Sequence, residues 1–209
     1  MKKVSDIYAI KIIFFITACY VGLWAIRIPT IKDQLQTDYV GVGYIMLSFA
    51  IGSIIAMIFA NALILKTSTK SILTYTLIAE GCLWLPVPFI QELWLFMIFS
   101  FIFGMSYGAF EIACNVYASN LEIREKKSMM SGFHAFWSLG VLFGSLITSF
   151  LLEWDYSFIS NILLYVIILL PLSLYFVLCL ESQVEKKSSD STKKNIFFIW
   201  PLLIFLLAF

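Results

Sequence analysis

The chain has 209 residues, of which 61% are hydrophobic and only 13% are charged. Soluble domains carry about 25% charged residues, so one water-facing fold cannot hide this much apolar surface and lipid is the expected solvent. The formal net charge of +1 argues against a nucleic-acid partner, because nucleic-acid-binding domains are usually strongly basic. The single histidine argues against a histidine-based metal site, and the four cysteines show neither metal spacing nor a disulfide framework.

Six apolar stretches are long enough to cross the ~30 Å hydrocarbon core, which requires about 20 residues of helix. In an open chain only helices satisfy their own backbone hydrogen bonds in lipid, so we predict an all-α membrane protein. The predicted spans are residues 7–27, 40–63, 71–90, 93–118, 130–152 and 156–180. Pro29 is expected to end the first helix, because the residue before a proline disfavours the helical conformation.

The last part of the chain has the composition of a linker followed by an incomplete span. Residues 181–195 are charged and rich in serine, which is typical of a linker. The 14 apolar residues 196–209 would extend only about 21 Å as a helix, which is too short to cross upright. We therefore expect residues 1–180 to form a six-helix unit, 181–195 a cytoplasmic linker and 196–209 the truncated start of a seventh span.

Positive charges fall on one side of this predicted topology. They precede the first span, follow the sixth span, or lie in the loops after the second and fourth spans. This set contains 11 of the 14 Lys and Arg residues: Lys2, Lys3, Lys66, Lys70, Arg124, Lys126, Lys127, Lys186, Lys187, Lys193 and Lys194. Cytoplasmic loops carry such an excess, so we predict a multi-pass protein of the cell membrane with a cytoplasmic N-terminus.

The fourth span carries polar side chains at membrane depth. Gly104, Gly108, Glu111 and Asn115 recur at helical spacing, so we expect the glycines to open space on the face into which the two polar groups point. A carboxylate at this depth costs a few kcal/mol or more and usually marks a functional site. Burial favours its protonated form, so Glu111 could exchange a proton; the alternative is a structural carboxyl group hydrogen-bonded between helices.

Two further polar residues are candidates for proton or substrate handling. His134 begins a polar stripe on the fifth span at a depth similar to that of Glu111, and we predict that these two side chains meet. His134 could instead be hydrated near the interface, and Asn115 could hydrogen-bond between helices. Glu80, midway along the third span, either handles a proton or substrate or pairs with a neighbouring span.

Two tryptophans and an arginine complete the candidate set. Trp24 and Arg27 lie near the outer end of the first span, where they form either an interfacial belt or a solute contact. In the second case Trp24 stacks on a sugar or aromatic ring, and Trp137 in the fifth span has the same two interpretations. The sequence contains no nucleophilic triad, phosphate-cradling loop or nucleotide motif, so we expect neither an enzyme nor a bound cofactor.

Small residues at four-residue spacing predict close helix contacts, since they let helix backbones approach one another in lipid. Ser48, Gly52 and Ala56 form one such stripe in the second span. Gly140 and Gly144 form another in the fifth span. Helix packing accounts for both stripes without any role in binding.

Six spans with cytoplasmic ends and a basic linker before a seventh span resemble the major facilitator superfamily, whose members have two six-helix halves around a central cavity. The fourth-span motif is similar to that of fucose-permease-like members, in which the glutamate belongs to the proton and sugar pathway. Two stretches resemble bacterial inner-membrane members related to that branch: Trp24-Ala25-Ile26-Arg27-Ile28-Pro29 and Met130-Ser131-Gly132-Phe133-His134-Ala135-Phe136-Trp137-Ser138-Leu139-Gly140. The resemblance implies the six-helix N-terminal bundle of a major-facilitator fold.

The loop after the second span departs from the superfamily's pattern. That loop usually carries a glycine, an aspartate and arginines that lock the inner gate. Here Leu65 and Ser68 stand where the aspartate and the second glycine are expected, and Lys66 and Lys70 keep only the positive charge. A second half, which alternating access requires, is absent from the sequence and is therefore an expected partner.

The favoured interpretation is one half of a proton-coupled symporter for a sugar or similar small solute. Glu111 would take the proton, Asn115 would hydrogen-bond the solute, and Trp24 or Trp137 would stack on it. One alternative is a proton-driven efflux pump for amphipathic compounds, which the 17% aromatic content favours. Another is a non-transporting remnant, or a half-transporter that needs a partner chain.

Overall fold

A computed structural model of the chain describes residues 5–181, except for the side chain of residue 61. These residues form six α-helices and one 3-10 turn. The helices are α1 (Asp6–Gln34), α2 (Tyr39–Lys66), α3 (Thr69–Trp84), α4 (Leu93–Glu125), α5 (Met130–Glu153) and α6 (Phe158–Cys179), with the turn at Val87–Phe89 between α3 and α4. Six segments are long and apolar enough to cross a membrane, which confirms the predicted fold class. Lys2, Lys3 and the predicted seventh span lie outside the described residues, as does all of the linker after residue 181.

Local capping fixes where several helices begin. The side chains of Asp38, Ser68 and Ser157 accept hydrogen bonds from the exposed backbone N–H groups at the first turns of α2, α3 and α6. The start of α5 uses a distant residue instead, because the carboxylate of Glu122 in α4 accepts from the N–H groups of Met129 and Met130. The short connections therefore hold successive helices antiparallel.

The prediction that Pro29 ends the first helix is wrong, since α1 continues for five residues beyond it to Gln34. A proline inside a helix costs about 3 kcal/mol. Ile31 and Leu35 are buried against the α3–α4 connection, and each such side chain contributes about 1.5–3 kcal/mol. The amide of Gln34 also donates to the carbonyls of Val87 and Ile90, at 3.0 and 2.6 Å. These contacts together outweigh the cost of the proline.

Glycines bring two pairs of helices into backbone contact. A Cβ atom added to Gly52, Gly104 or Gly108 would collide with the backbone of the facing helix in the α2–α4 pair. Gly140 and Gly144 of α5 press in the same way against the backbone of α1. These contacts confirm close packing at Gly52 and at Gly140 and Gly144.

The expectation that Gly104 and Gly108 open space beside Glu111 is wrong. Both glycines are buried against the backbone of α2, at Phe49 and Ser53. Glu111 continues the same helical face, but the cavity that it lines has no residue from α2. This face of α4 therefore has two parts. The part with the glycines packs against α2, and the part with Glu111 lines a cavity.

The helix contacts have an internal symmetry. The main pairs are α1–α5 and α2–α4, followed by α3–α4, α1–α6 and α3–α6. Consider exchanging α1 with α4, α2 with α5 and α3 with α6. The α1–α5 pair then becomes α4–α2 and the α3–α4 pair becomes α6–α1, so the pairing pattern is unchanged. The bundle is thus two similar three-helix units that pack against each other.

Polar contacts tie the helices together at both ends of the bundle. At the end that carries the N-terminus, which we call the N-terminal end, Arg124 contacts the carboxylates of Asp6 and Glu181 at 2.9 and 3.2 Å. Lys70 there donates to the carbonyls of Leu178 and Leu180, at 2.9 and 2.6 Å. At the opposite end, which we call the far end, Arg27 joins α1 to α6.

Candidate functional site

One cavity contains four of the six residues that were predicted to bind the proton or the substrate. It has a volume of about 240 Å³ and lies between α1, α4 and α5, in the half of the bundle nearer the N-terminal end. We call it the Glu111 cavity, and its lining is Phe14, Tyr107, Phe110, Glu111, Cys114, Asn115, His134 and Trp137. A carboxyl, an amide, an imidazole and an indole therefore share one space.

Glu111 reaches this cavity from α4 and His134 reaches it from α5. The His134 ring packs edge-on against Phe14, with ring centroids 5.7 Å apart. Glu111 and Asn115 are partly exposed to the cavity, and His134 is exposed. The arrangement can hold a proton on the carboxyl group and present hydrogen-bonding groups to a polar solute.

A second, larger cavity of about 360 Å³ lies towards the far end, between α1, α2, α3 and α4. We call it the aromatic chamber. Eight of its fourteen lining residues are aromatic; the full set is Tyr20, Val21, Trp24, Met46, Phe49, Ala50, Glu80, Trp84, Val87, Phe96, Phe99, Ser100, Phe103 and Tyr107. Two of the predicted site residues, Trp24 and Glu80, thus belong to a different cavity from Glu111.

Ring contacts fix the walls of the aromatic chamber. Trp84 stands at the centre, with ring centroids 5.9 Å from Tyr20, 6.3 Å from Trp24 and 5.6 Å from Phe103. Trp24 also contacts Phe96 at 6.3 Å. Aromatic pairs at these separations are favourable, so the walls are held by their own packing.

Glu80 is the one carboxyl group in the lining of the aromatic chamber. Its side chain is only 7% exposed, and within the described part of the chain no group donates a hydrogen bond to it. The indole N–H of Trp84, one turn along α3, is also buried without a partner. Buried polar groups are normally satisfied, so these two require an explanation.

Tyr107 lines both cavities and separates them. Its side chain lies beside Trp137 of α5, which also lines the Glu111 cavity. A change in the position of this ring would therefore alter the shape of both cavities.

Arg27 lines neither cavity. It is 2% exposed, and it donates to the side-chain oxygen of Asn161 and the carbonyl of Tyr156, both at 3.0 Å. The guanidinium also lies 5.5 Å from the centre of the Phe158 ring. The structure therefore places Arg27 as a buried link between α1 and α6, and not in an exposed interfacial belt.

The two lysines of the loop after α2 differ in their surroundings. Lys70 caps the C-terminal end of α6 through two backbone carbonyls, which is a favourable place for a cation. Lys66 is exposed in the last turn of α2. Their predicted role in an inner gate remains a prediction.

Sequence reasoning missed the aromatic chamber and the ion network at Arg124. The signal for the chamber was present, because Phe96, Phe99, Phe103 and Tyr107 recur along α4 at spacings of three and four residues. The sequence contains no comparable signal for the ion network. Asp6 and Arg124 lie in distant parts of the chain, and no pattern in the sequence indicates that they meet.

A family model described as Major Facilitator Superfamily matches residues 12–209. The chain is 27% identical over 145 residues to an uncharacterised MFS-type transporter of Yersinia pestis, an alignment that covers 68% of this chain and 37% of that protein. It is 26% identical over 141 residues to an uncharacterised transporter of Sinorhizobium fredii, which covers 63% and 35% respectively. No solved structure matches the chain.

The aligned part of the chain spans little more than a third of either relative's length. The family match, by contrast, extends over nearly the whole chain, and the six membrane-length helices agree with it. These matches point to a transporter rather than an enzyme. The chain therefore belongs to the Major Facilitator Superfamily of membrane transporters.

Proposed function

We propose that this chain is the N-terminal half of a proton-coupled secondary transporter, related to the fucose-permease-like branch, which carries a sugar or similar small polar solute. The observation that carries the proposal is the Glu111 cavity, where a carboxyl group, an amide and an indole line one space at membrane depth. An ionisable residue within a span is costly and is usually part of a substrate or proton path.

The roles follow from the chemistry of each group. Glu111 takes up and releases the proton, and His134 lines the same cavity from α5. Asn115 lies one turn along α4 from Glu111 and offers both a donor and an acceptor to a hydroxyl group. Trp137 supplies a flat face on which the apolar side of a sugar ring can stack.

In the whole protein we propose that a second half faces the two cavities, because alternating access requires two halves around a shared site. We place the N-terminal end of the bundle on the cytoplasmic side of a bacterial inner membrane, because Lys66, Lys70, Arg124, Lys126 and Lys127 all lie at that end. Lys66 and Lys70 would then contact the second half at the inner gate.

The test is transport of L-fucose and a panel of other hexoses into proteoliposomes, with the chain supplied alone and together with a separately expressed second half. We expect Glu111→Gln to lower pH-gradient-driven accumulation by at least about tenfold while solute exchange at equal pH continues, since the amide keeps the shape but cannot carry the proton. Glu153→Gln, at the exposed end of α5, is the matched control.

Accumulation by Glu111→Gln at the rate of the parent chain would remove Glu111 from the proton path. Uptake of no hexose under any of these conditions would contradict the solute class. Uptake only in the presence of the second half would support the half-transporter interpretation.

A further inference from the structure

We propose that the aromatic chamber is a second binding site, and that its ligand is a lipophilic organic monocation with an aromatic or similarly apolar body. The cationic centre would lie against Glu80, and the body would lie among the rings of α1, α3 and α4. This site is separate from the Glu111 cavity and does not depend on the solute proposed there.

Glu80 is a buried acidic group without a positive partner among the described residues. Glu80 is more than nine-tenths buried and receives no hydrogen bond from the described residues, and the lining includes neither lysine nor arginine. A buried carboxylate is strongly unfavourable unless a positive charge or hydrogen-bond donors accompany it. The described residues supply neither to Glu80, so a cationic ligand would provide the missing positive charge.

The walls of the chamber suit a cation with an apolar body. Trp24, Trp84 and Phe103 surround the space beside Glu80 with aromatic faces, and such faces attract a cation that has lost its water. The volume of about 360 Å³ lies within the range of roughly 300–1,000 Å³ that holds small organic ligands. An aromatic or branched apolar body would therefore find both room and contact.

A sugar is a poor ligand for this chamber. A sugar has a hydroxyl group on most carbon atoms, and each one needs a partner when it is buried. The lining offers few polar groups, and the hydroxyl of Tyr20 is directed towards the carbonyl of Tyr165 in α6, at 3.5 Å. The free indole N–H of Trp84 can serve one acceptor on a ligand, but it cannot serve a ring of hydroxyls.

The experiment measures binding of radiolabelled tetraphenylphosphonium to the full chain in lipid nanodiscs, with empty nanodiscs subtracted. We expect saturable binding that Glu80→Gln weakens by at least about tenfold, because the amide keeps the shape of the side chain and loses its charge. Glu80→Asp keeps the charge and should stay within about threefold of the parent chain. Glu153→Gln, which changes the same charge at an exposed position, should leave binding unchanged.

Two competitors define the ligand class. Benzyltrimethylammonium should displace the label, whereas benzyl alcohol, which keeps the ring and lacks the charge, should not. Trp24→Leu should weaken binding by about three- to tenfold, because it removes one aromatic face and keeps an apolar side chain. Gel filtration of every variant shows that the fold is retained before binding is compared.

Equal binding by Glu80→Gln and the parent chain would overturn the proposal, as would displacement by benzyl alcohol as effective as displacement by benzyltrimethylammonium. Absence of saturable binding to the parent chain would overturn it as well. The readout is binding and not transport, so failure of the hexose assay leaves this result intact, and the two proposals can fail separately.

Discussion

The Glu111 cavity and the aromatic chamber each contain one carboxyl group at membrane depth, but the residues around that group differ. Glu111 has an imidazole, an amide and a partly open space around it, whereas Glu80 lies among aromatic rings and accepts no hydrogen bond from the described residues. Both cavities are bounded by α1 and α4. The groups that surround each carboxyl therefore depend on which further helices complete the cavity besides α1 and α4.

For the Glu111 cavity that further helix is α5, which approaches α1 through Gly140 and Gly144. For the aromatic chamber the further helices are α2 and α3, and α2 approaches α4 through Gly52, Gly104 and Gly108. Each cavity therefore depends on its own glycine-mediated helix pair. Changes in one pair should affect one cavity much more than the other.

The largest expected effect comes from Gly108→Val in the α2–α4 pair. A Cβ atom there would collide with the backbone of Ser53, so the helices must separate. We expect a loss of about 3 kcal/mol or more in the free energy of unfolding, measured by denaturant titration in detergent micelles. The matched control is Gly43→Val in α2, where an added Cβ atom meets nothing within 4 Å.

The same variant tests the independence of the cavities. In the protein that remains folded, tetraphenylphosphonium binding should be lost while proton-linked hexose uptake falls less. A larger loss of uptake than of cation binding would contradict the assignment of one helix pair to each cavity.

An intermediate loss in the free energy of unfolding is expected from Arg27→Leu. Because Arg27 lines neither cavity, the change should not affect one cavity more than the other. The change leaves the side-chain oxygen of Asn161 and the carbonyl of Tyr156 without their donor, at a cost of about 2–3 kcal/mol in the free energy of unfolding. Lys32→Leu serves as the control, because the ion pair of Lys32 with the exposed Asp33 lies at the surface and is worth about 0–1 kcal/mol. Equal unfolding free energies for the two variants would show that the Arg27 contacts carry little stability.

The smallest effect concerns the coupling between Glu111 and His134. A double-mutant cycle with Glu111→Gln and His134→Gln should give an interaction of about 0.5–1 kcal/mol in the unfolding free energy, because both side chains share one cavity. The cycle of Glu80→Gln with His134→Gln should be additive, since Glu80 lines the other chamber. Additivity in both cycles would remove the predicted contact.

Apolar run length and the positions of the charged loops were enough to predict six membrane helices, because each helix in lipid must satisfy its own backbone. Helical spacing also identified the polar residues of α4, and Glu111 and Asn115 do line one cavity. The pattern could not show that Gly104 and Gly108, on the same stripe, face α2. Whether a residue on this face of α4 packs against α2 or lines a cavity depends on how far α2 extends along that face.

Partners that are distant in sequence were beyond prediction. Arg27 resembles an interfacial residue until Asn161, 134 positions later, is seen to accept its hydrogen bond. No polar side chain other than Trp84 follows Glu80 at helical spacing, and the aromatic residues of its chamber come from four different helices. Single-helix periodicity contains no information about such sets.

The pairing of α1 with α5 and α6 has a consequence for biosynthesis. α1 ends at Gln34, whereas α5 ends at Glu153, about 120 residues later, and synthesis at 5–20 residues per second takes roughly 6–24 seconds to cover that distance. During this delay Arg27 is in the bilayer before Asn161 has been translated. The hydrogen bonds of Arg27 to Asn161 and Tyr156 can therefore form only some time after the first helix has been made.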